Sequence, residues 1–298
     1  MKTAKRLREL IERPGITMVP GAYDAFSAKL IEAVGFDAVY MTGFGTAASA
    51  LGYPDIGLLT LTDMVTNVKR IADAVAIPVI ADADTGYGNH LNVIRTVEEY
   101  EKAGSAAIQI EDQISPKRCG HMDGHKLVSP GEMVAKIRAA VRARKDGDMV
   151  IIARTDAISA EGFEEAIRRA NIYREEGADV LFVEAPRDMD QLERIPKLVK
   201  GPVLVNIAPK TPYLHIKKYE DMGYTLAIYP PISITTVYTA LRDKLFELKS
   251  KGMNSDGGHG GVSFDELVNF LGLSKYRKLE EEILRGIDKY HKDGAKWE

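Results

Sequence analysis

The sequence predicts an α/β chain closed into a (β/α)8 TIM barrel, with an extra C-terminal helical region. Three observations predict it. Short β-branched runs recur at fairly even spacing, each is followed by a turn and a segment with helical periodicity, and eight such units stand in a row. An open doubly wound sheet stops more often at about five or six strands, so the longer series points to closure.

Residues 1–14 are a charged amphipathic stretch with neither an apolar run nor a cleavage pattern, and no secretory signal is expected. The first strand is expected over 17–19 and its helix over 24–34, where Gly35 offers a left-handed C-cap. A strand over 37–42 runs into Gly43 and Gly45, ahead of a helix over 61–75. The third unit pairs 78–82 with 91–103, ended by Gly104, and the fourth pairs 106–111 with 130–145 across a long polar loop. The fifth takes 149–154 and 163–176, closed by Gly177, and the sixth 179–184 and 190–199. The seventh takes 202–207 and 216–222, closed by Gly223, and the eighth 225–229 and 235–249. Residues 254–261 are rich in glycine and polar residues and read as a link, after which 267–284 resumes a helical pattern. The expected division is a catalytic barrel over 1–253 and an extension over 254–298, packed on the barrel or on a neighbouring subunit.

Hydrophobic residues make up 45% and charged residues 28% of the chain, enough for a sizeable core, and the net charge of -3 selects no partner. Lys and Arg are interspersed with Asp and Glu, so no nucleic-acid face is expected, and no apolar run is long enough to span a membrane. The single cysteine, Cys119, excludes an intramolecular disulfide and a Cys-rich metal site, and the expected setting is cytoplasmic.

In a barrel of this kind the reaction centre lies at the C-terminal ends of the strands. The third strand ends at Asp82 and Asp84, which alternation places on one side, and the fourth ends at Glu111. Oxygen ligands without histidine or thiol favour a hard cation, expected to be Mg2+ with Mn2+ as the alternative, and Asp55 is an outer member of the set. The competing use of each carboxylate is to cap a helix or to meet an arginine. Arg154, ending the fifth strand, is a fork for a substrate carboxylate, or a partner of Glu184 or Glu111, and both uses are compatible.

Cys119 lies in a polar, Gly-flanked loop, where Lys117, Arg118 and His121 are expected to ease loss of its proton, so that it serves as acid or nucleophile. His121 and Glu184 are grouped with it as catalytic residues, and His90, His125, His215, His259 and His291 read as surface or packing residues. Tyr40, Thr42, Gly43, Phe44, Gly120, Asn206 and Lys210 are the remaining substrate-side candidates. No Walker loop, Rossmann fingerprint or zinc-hydrolase motif is present.

From about Val19 to Leu248 the chain resembles the isocitrate lyase and phosphoenolpyruvate mutase superfamily. The resemblance is carried by Pro20-Gly21-Ala22-Tyr23-Asp24, Leu51-Gly52-Tyr53-Pro54-Asp55, the run from Asp82 to Gly88, Ile110-Glu111-Asp112-Gln113, Lys117-Arg118-Cys119-Gly120-His121 and Ala153-Arg154-Thr155-Asp156-Ala157. The Cys-containing loop resembles the lyase branch, which includes 2-methylisocitrate and 2,3-dimethylmalate lyases. The resemblance implies Mg2+-dependent C–C cleavage releasing pyruvate. Asp84 would bind the metal directly, with Asp55, Asp82 and Glu111 acting largely through its waters, and the Thr42, Gly43 and Phe44 backbone with Arg154 would hold the pyruvate-forming half. Cys119 would protonate the carbon set free, and the loop would close over the substrate. It also implies a homotetramer with an exchanged terminal helix.

Two departures bear on the substrate. Asn206 leads into Ile207-Ala208-Pro209-Lys210 without the glutamate that follows it in 2-methylisocitrate lyases, and Thr235 stands about where their additional arginine would be. A 2-alkylmalate is therefore the expected substrate, giving pyruvate and a short carboxylate, with Lys210 as a replacement charge. The alternatives are 2-methylisocitrate cleavage to pyruvate and succinate, oxaloacetate hydrolysis, and a non-catalytic dicarboxylate-binding barrel.

Overall fold

The computed structural model describes residues 3–122, 124–257 and 261–286. Eight parallel strands close into a barrel in chain order. They are β1 (Thr17–Ala22), β2 (Val39–Met41), β3 (Val79–Asp82), β4 (Ala107–Glu111), β5 (Val150–Thr155), β6 (Val180–Val183), β7 (Val203–Asn206) and β8 (Leu226–Tyr229). The helices are α1 (Thr3–Glu12), α2 (Ala25–Val34), α3 (Gly43–Thr46), α4 (Leu61–Ala74), α5 (His90–Lys102), α6 (Pro130–Ala143) and α7 (Ala157–Ala160). They continue with α8 (Phe163–Glu175), α9 (Met189–Leu198), α10 (Ile216–Met222), α11 (Ile232–Lys251), α12 (Phe264–Phe270) and α13 (Leu273–Leu284).

Two apolar layers follow from strand alternation. Inside the barrel, Val19, Tyr40, Ile80, Ile152, Phe182, Leu204 and Ile228 meet, and α1 closes the end where the strands begin by burying Leu7 and Leu10 against them. Outside, Val39, Val79, Ile108, Ile151, Leu181 and Val203 pack against the helix faces. The opposite end of the barrel is left to loops and polar side chains.

β1 runs on to Ala22, past its expected end at 19, and Gly21 makes this possible. A Cβ there would lie 2.3 Å from the carbonyl oxygen of Pro230, so only glycine lets the chain leaving β8 pass so closely. β2 is shorter than expected because Thr42 leaves the strand to cap α3, its hydroxyl accepting from the Gly45 N–H at 3.3 Å. α11 starts at Ile232, earlier than the expected 235. The expected single helical stretch over 267–284 is two helices, because Gly272 takes the left-handed conformation (φ +93°) between α12 and α13.

The chain divides into two compact units, residues 1–237 and 238–298, so the expected boundary at 253/254 falls within the second. No helix among the described residues is long and apolar enough to cross a membrane.

Candidate active site

A cavity of about 280 Å³ opens at the end of the barrel where the strands finish. Strand ends supply Tyr40, Thr42, Asp82, Arg154, Glu184 and Asn206; the loop after β4 supplies Lys117, Cys119, Gly120, His121 and Met122. Asp55 adds a further carboxylate and Phe44 an apolar ring, and Ala208, Pro209, Ile228, Pro230, Pro231 and Thr235 form the wall contributed by the ends of β7 and β8. Twelve of the fifteen candidate site residues thus line one cavity, or touch a residue that does, through side chains; Gly43 and Lys210 enter through backbone N–H groups, and Gly120 through its lack of a side chain.

The acidic side is built from β3 and β4. Asp82 Oδ2 accepts from the Gly43 N–H at 3.2 Å, and its Oδ1 from the Asp84 N–H at 3.1 Å and Gln109 Nε2 at 3.4 Å. Tyr40 donates in turn to Gln109 Oε1 at 3.0 Å, tying the barrel interior to the carboxylate. Asp84 stands in left-handed backbone conformation (φ +47°), as do Tyr87 (+58°) and Ala185 (+54°), the three non-glycine residues of this kind among those described. Such geometry costs on the order of 1–3 kcal/mol per residue and gathers at functional sites. Here the surroundings impose it: Tyr100 donates to the Asp82 carbonyl at 2.8 Å, Lys136 to that of Thr85 at 3.0 Å and Thr96 to that of Gly86 at 3.1 Å.

Lys117 corrects one expectation. Its ammonium bridges Asp55 Oδ1 at 2.6 Å and Asp84 Oδ1 at 2.7 Å, so its direct contacts go to the acidic cluster and the thiol feels it only as a nearby charge. Burial pulls its proton off, but Asp84, Asp55 and Glu111 outweigh that and hold the ammonium well above its ordinary range. The thiol itself is pushed up by burial, more than the His121 N–H and the nearby cations pull it down. Cys119 therefore rests as the protonated acid. Burial also raises Asp84 to about 6, with Lys117 opposing the rise.

On the other side Arg154 is gripped by Asp156 through Nε at 3.0 Å and Nη2 at 2.8 Å, meets Glu111 at 3.2 Å, and reaches Glu184 through Nη1 only at 3.5 Å. Asp156 is set by Asp112, which accepts its N–H at 3.0 Å and is itself held by Thr155, Tyr173 and Arg169. Glu184 meets His121 Nε2 at 3.3 Å and accepts from Asn206 Nδ2 at 3.1 Å. Burial pushes its carboxyl up, but Arg154, His121 and Asn206 together hold it at about 2. Gly120 packs against this group so tightly that a Cβ would lie 2.2 Å from Arg154 Nη2 and 2.7 Å from Glu184 Cγ. The Cys loop is thus seated on the mouth.

Two substrate-side expectations change. The Gly43 N–H is given to Asp82 because α3 turns it inward, and Lys210 is exposed and absent from the cavity lining, reaching the site by its N–H to His121 Nδ1 at 3.3 Å. Asp156 and Lys117 carry more of the architecture than the sequence reading assigned them. Asp156 had no strand period to place it, since it lies past the end of β5 as the residue before α7. His125, read as surface or packing, is buried and holds the Cys119 carbonyl at 3.1 Å, a fold-level contact with no sequence signal. His215 caps α10 and His90 opens α5, while His259 and His291 lie outside the described residues.

Glu111 Oε1 is a buried oxygen with no hydrogen-bond partner, and Asp84 Oδ1 meets only the Lys117 ammonium. Among the described residues no three carboxylate, imidazole or thiol groups form a ready metal cage. Hard oxygen donors in this number fit a cation that keeps most of its waters.

Residues 7–249 match the phosphoenolpyruvate phosphomutase family. Over 288 residues, 96% of this chain and 100% of the relative, it is 46% identical to 2,3-dimethylmalate lyase of Eubacterium barkeri. Over 281 residues, 94% of this chain and 90% of the relative, it is 42% identical to 2-methylisocitrate lyase of Aeropyrum pernix. The solved structure of oxaloacetate acetylhydrolase in complex with the inhibitor 3,3-difluorooxalacetate superposes with a TM-score of 0.90 at 38% identity, covering 95% of this chain and 97% of that one. With its eightfold barrel and its acidic and Cys-containing strand-end loops, the chain belongs to the phosphoenolpyruvate mutase/isocitrate lyase superfamily and is a carbon–carbon lyase within it.

Proposed function

We propose that this lyase cleaves a 2-alkylmalate of the 2,3-dimethylmalate type to pyruvate and a short carboxylate, with Mg2+ held by Asp84 and, through its waters, by Asp82, Glu111 and Asp55. The observation that carries the substrate class is the wall contributed by the ends of β7 and β8. Ala208, Pro209, Ile228, Pro230 and Pro231 are apolar, Thr235 is neutral, and the loops after β7 and β8 contribute no charged side chain to the lining. Alkyl substituents bury well there, whereas a third carboxylate would be desolvated without a cation to meet it. The small cavity also suits a small acid, ligand pockets commonly measuring roughly 300–1,000 Å³.

Bound among these oxygens, the cation would stabilise negative charge developing on the pyruvate-forming half. Arg154 holds that half's carboxylate: its loosest contact, Nη1 to Glu184, is the one most readily exchanged for substrate. The His121–Glu184 pair takes the proton of the 2-hydroxyl. As the C2–C3 bond breaks, its electron pair passes to C3, and the Cys119 thiol gives its proton to that carbon. The proton on His121 and Glu184 then restores the thiol, so substrate atoms equal product atoms. Burial of the thiol serves this role, because an acid must hold its proton until the carbanion forms.

The test offers the enzyme, with Mg2+, 2,3-dimethylmalate, 2-methylisocitrate and oxaloacetate separately, and follows pyruvate and oxalate. Highest kcat/KM on the dimethylmalate is the expected result. Preference for methylisocitrate, in line with the 42% identical relative, would overturn the argument from the apolar wall. Oxalate from oxaloacetate alone would make the chain a hydrolase, and tight binding without turnover of any acid would make it a binding barrel.

A further inference from the structure

Cys119 and Arg154 come from different segments, and one short chain of contacts joins them outside the cavity. The Cys119 carbonyl accepts from the Met122 N–H at 2.8 Å and lies 3.1 Å from His125 Nε2. The other ring nitrogen, Nδ1, lies 2.7 Å from Ser159 Oγ, on α7, and that hydroxyl lies 3.0 Å from the carbonyl oxygen of Asp156. Asp156 is the residue that grips the Arg154 guanidinium. Inside the cavity the same two segments meet where Gly120, next to Cys119, packs against Arg154 Nη2. His125 itself is buried, while its partner Ser159 stands at the surface.

We propose that His125 and Ser159 are positioning residues, a clasp fixing the backbone of Cys119 to the turn that holds Arg154 so that thiol and guanidinium are set as one unit. An imidazole suits the place. The Cys119 carbonyl needs a donor at Nε2, and the Ser159 hydroxyl, which has one proton, either gives it to Nδ1 or accepts from Nδ1–H and gives it to the Asp156 carbonyl; in both arrangements the ring ties Cys119 to α7. Without the clasp, Cys119 keeps its chemistry but loses its aim, and small misplacements of reacting groups are costly. The importance of the clasp for turnover rests on reading Cys119 as the proton donor; its effect on the loop does not.

Because Cys119 is the only cysteine, its alkylation by iodoacetamide reports the seating of the loop directly. Rates would be compared in the intact enzyme and in His125→Ala, His125→Gln and Ser159→Ala, with kcat and KM measured alongside. One hydrogen bond of ordinary net strength corresponds to roughly 2- to 12-fold in an equilibrium, and that is the expected rise in alkylation for Ser159→Ala. His125→Ala should exceed it, His125→Gln should recover part of it through its amide N–H, and kcat should fall in step while KM changes little. Ser159 is exposed, so its variant is expected to fold and carries the test even if His125→Ala does not. Wild-type alkylation rates in folded variants would overturn the clasp, as would faster alkylation with kcat unchanged. If the wild-type enzyme turns over none of the offered acids, the alkylation rates still decide the seating, and the failure belongs to the proposed substrate.

Discussion

At Glu184 three partners outweigh burial. Arg154, His121 and Asn206 hold its carboxyl at about 2, below the ordinary 4.5. A carboxyl lowered on folding adds stability above its unfolded value and loses that share as pH falls through its folded value. Thermal melts should therefore show a loss between about pH 4.5 and 2 that Glu184→Gln lacks; equal slopes in both proteins would contradict the assignment. Arg154→Lys keeps the charge but loses the fork to Asp156, and kcat/KM should fall by about 10- to 100-fold, the scale of one or two charge-assisted hydrogen bonds. Arg154, Asp82 and Glu111 were legible in the sequence because strand alternation and strand ends fix where such side chains go, whereas Asp84 lies past the end of β3 in left-handed backbone, where alternation no longer holds. Lys117 was not legible, because a loop has no period to say whether its ammonium turns toward the adjacent thiol or toward Asp55 and Asp84.

Among the elements, the strands and barrel helices were readable from period and from glycine caps such as Gly35 and Gly223, both left-handed in the structure. What escaped were features set by tertiary contact: α3, which starts where Thr42 turns out of β2, and the break at Gly272. Two glycines make opposite predictions. Gly21→Ala would drive a Cβ into the Pro230 backbone at the β1–β8 seam, which cannot give way cheaply, and should cost on the order of 1–3 kcal/mol or more by denaturant titration. Gly120→Ala meets the Arg154 and Glu184 side chains instead, so its expected effect is a large loss of kcat/KM with little change in the unfolding midpoint. The reverse pattern for the two variants would show that the loop is not seated as described.

For the molecule as a whole, α11 and the helices after it expose large apolar side chains, among them Tyr238, Phe246, Phe264 and Ile283. Such residues are commonly covered by association, and the expected homotetramer is proposed on that ground, with light scattering of the native protein as its check; a monomer would defeat it. The central claim concerns chemistry: a protonated Cys119, delivered by a seated loop to a cavity that pairs polar groups with an apolar wall, completes a C–C cleavage. Its most direct test is pyruvate release from 2,3-dimethylmalate with Mg2+ by the wild-type enzyme and by Cys119→Ser. The predicted result is steady release by the wild type and a fall of about 10²- to 10⁴-fold in kcat for the folded variant, the range of a lost general acid. Undiminished pyruvate release by Cys119→Ser would contradict the account, because the carbon set free would then be protonated by some other group.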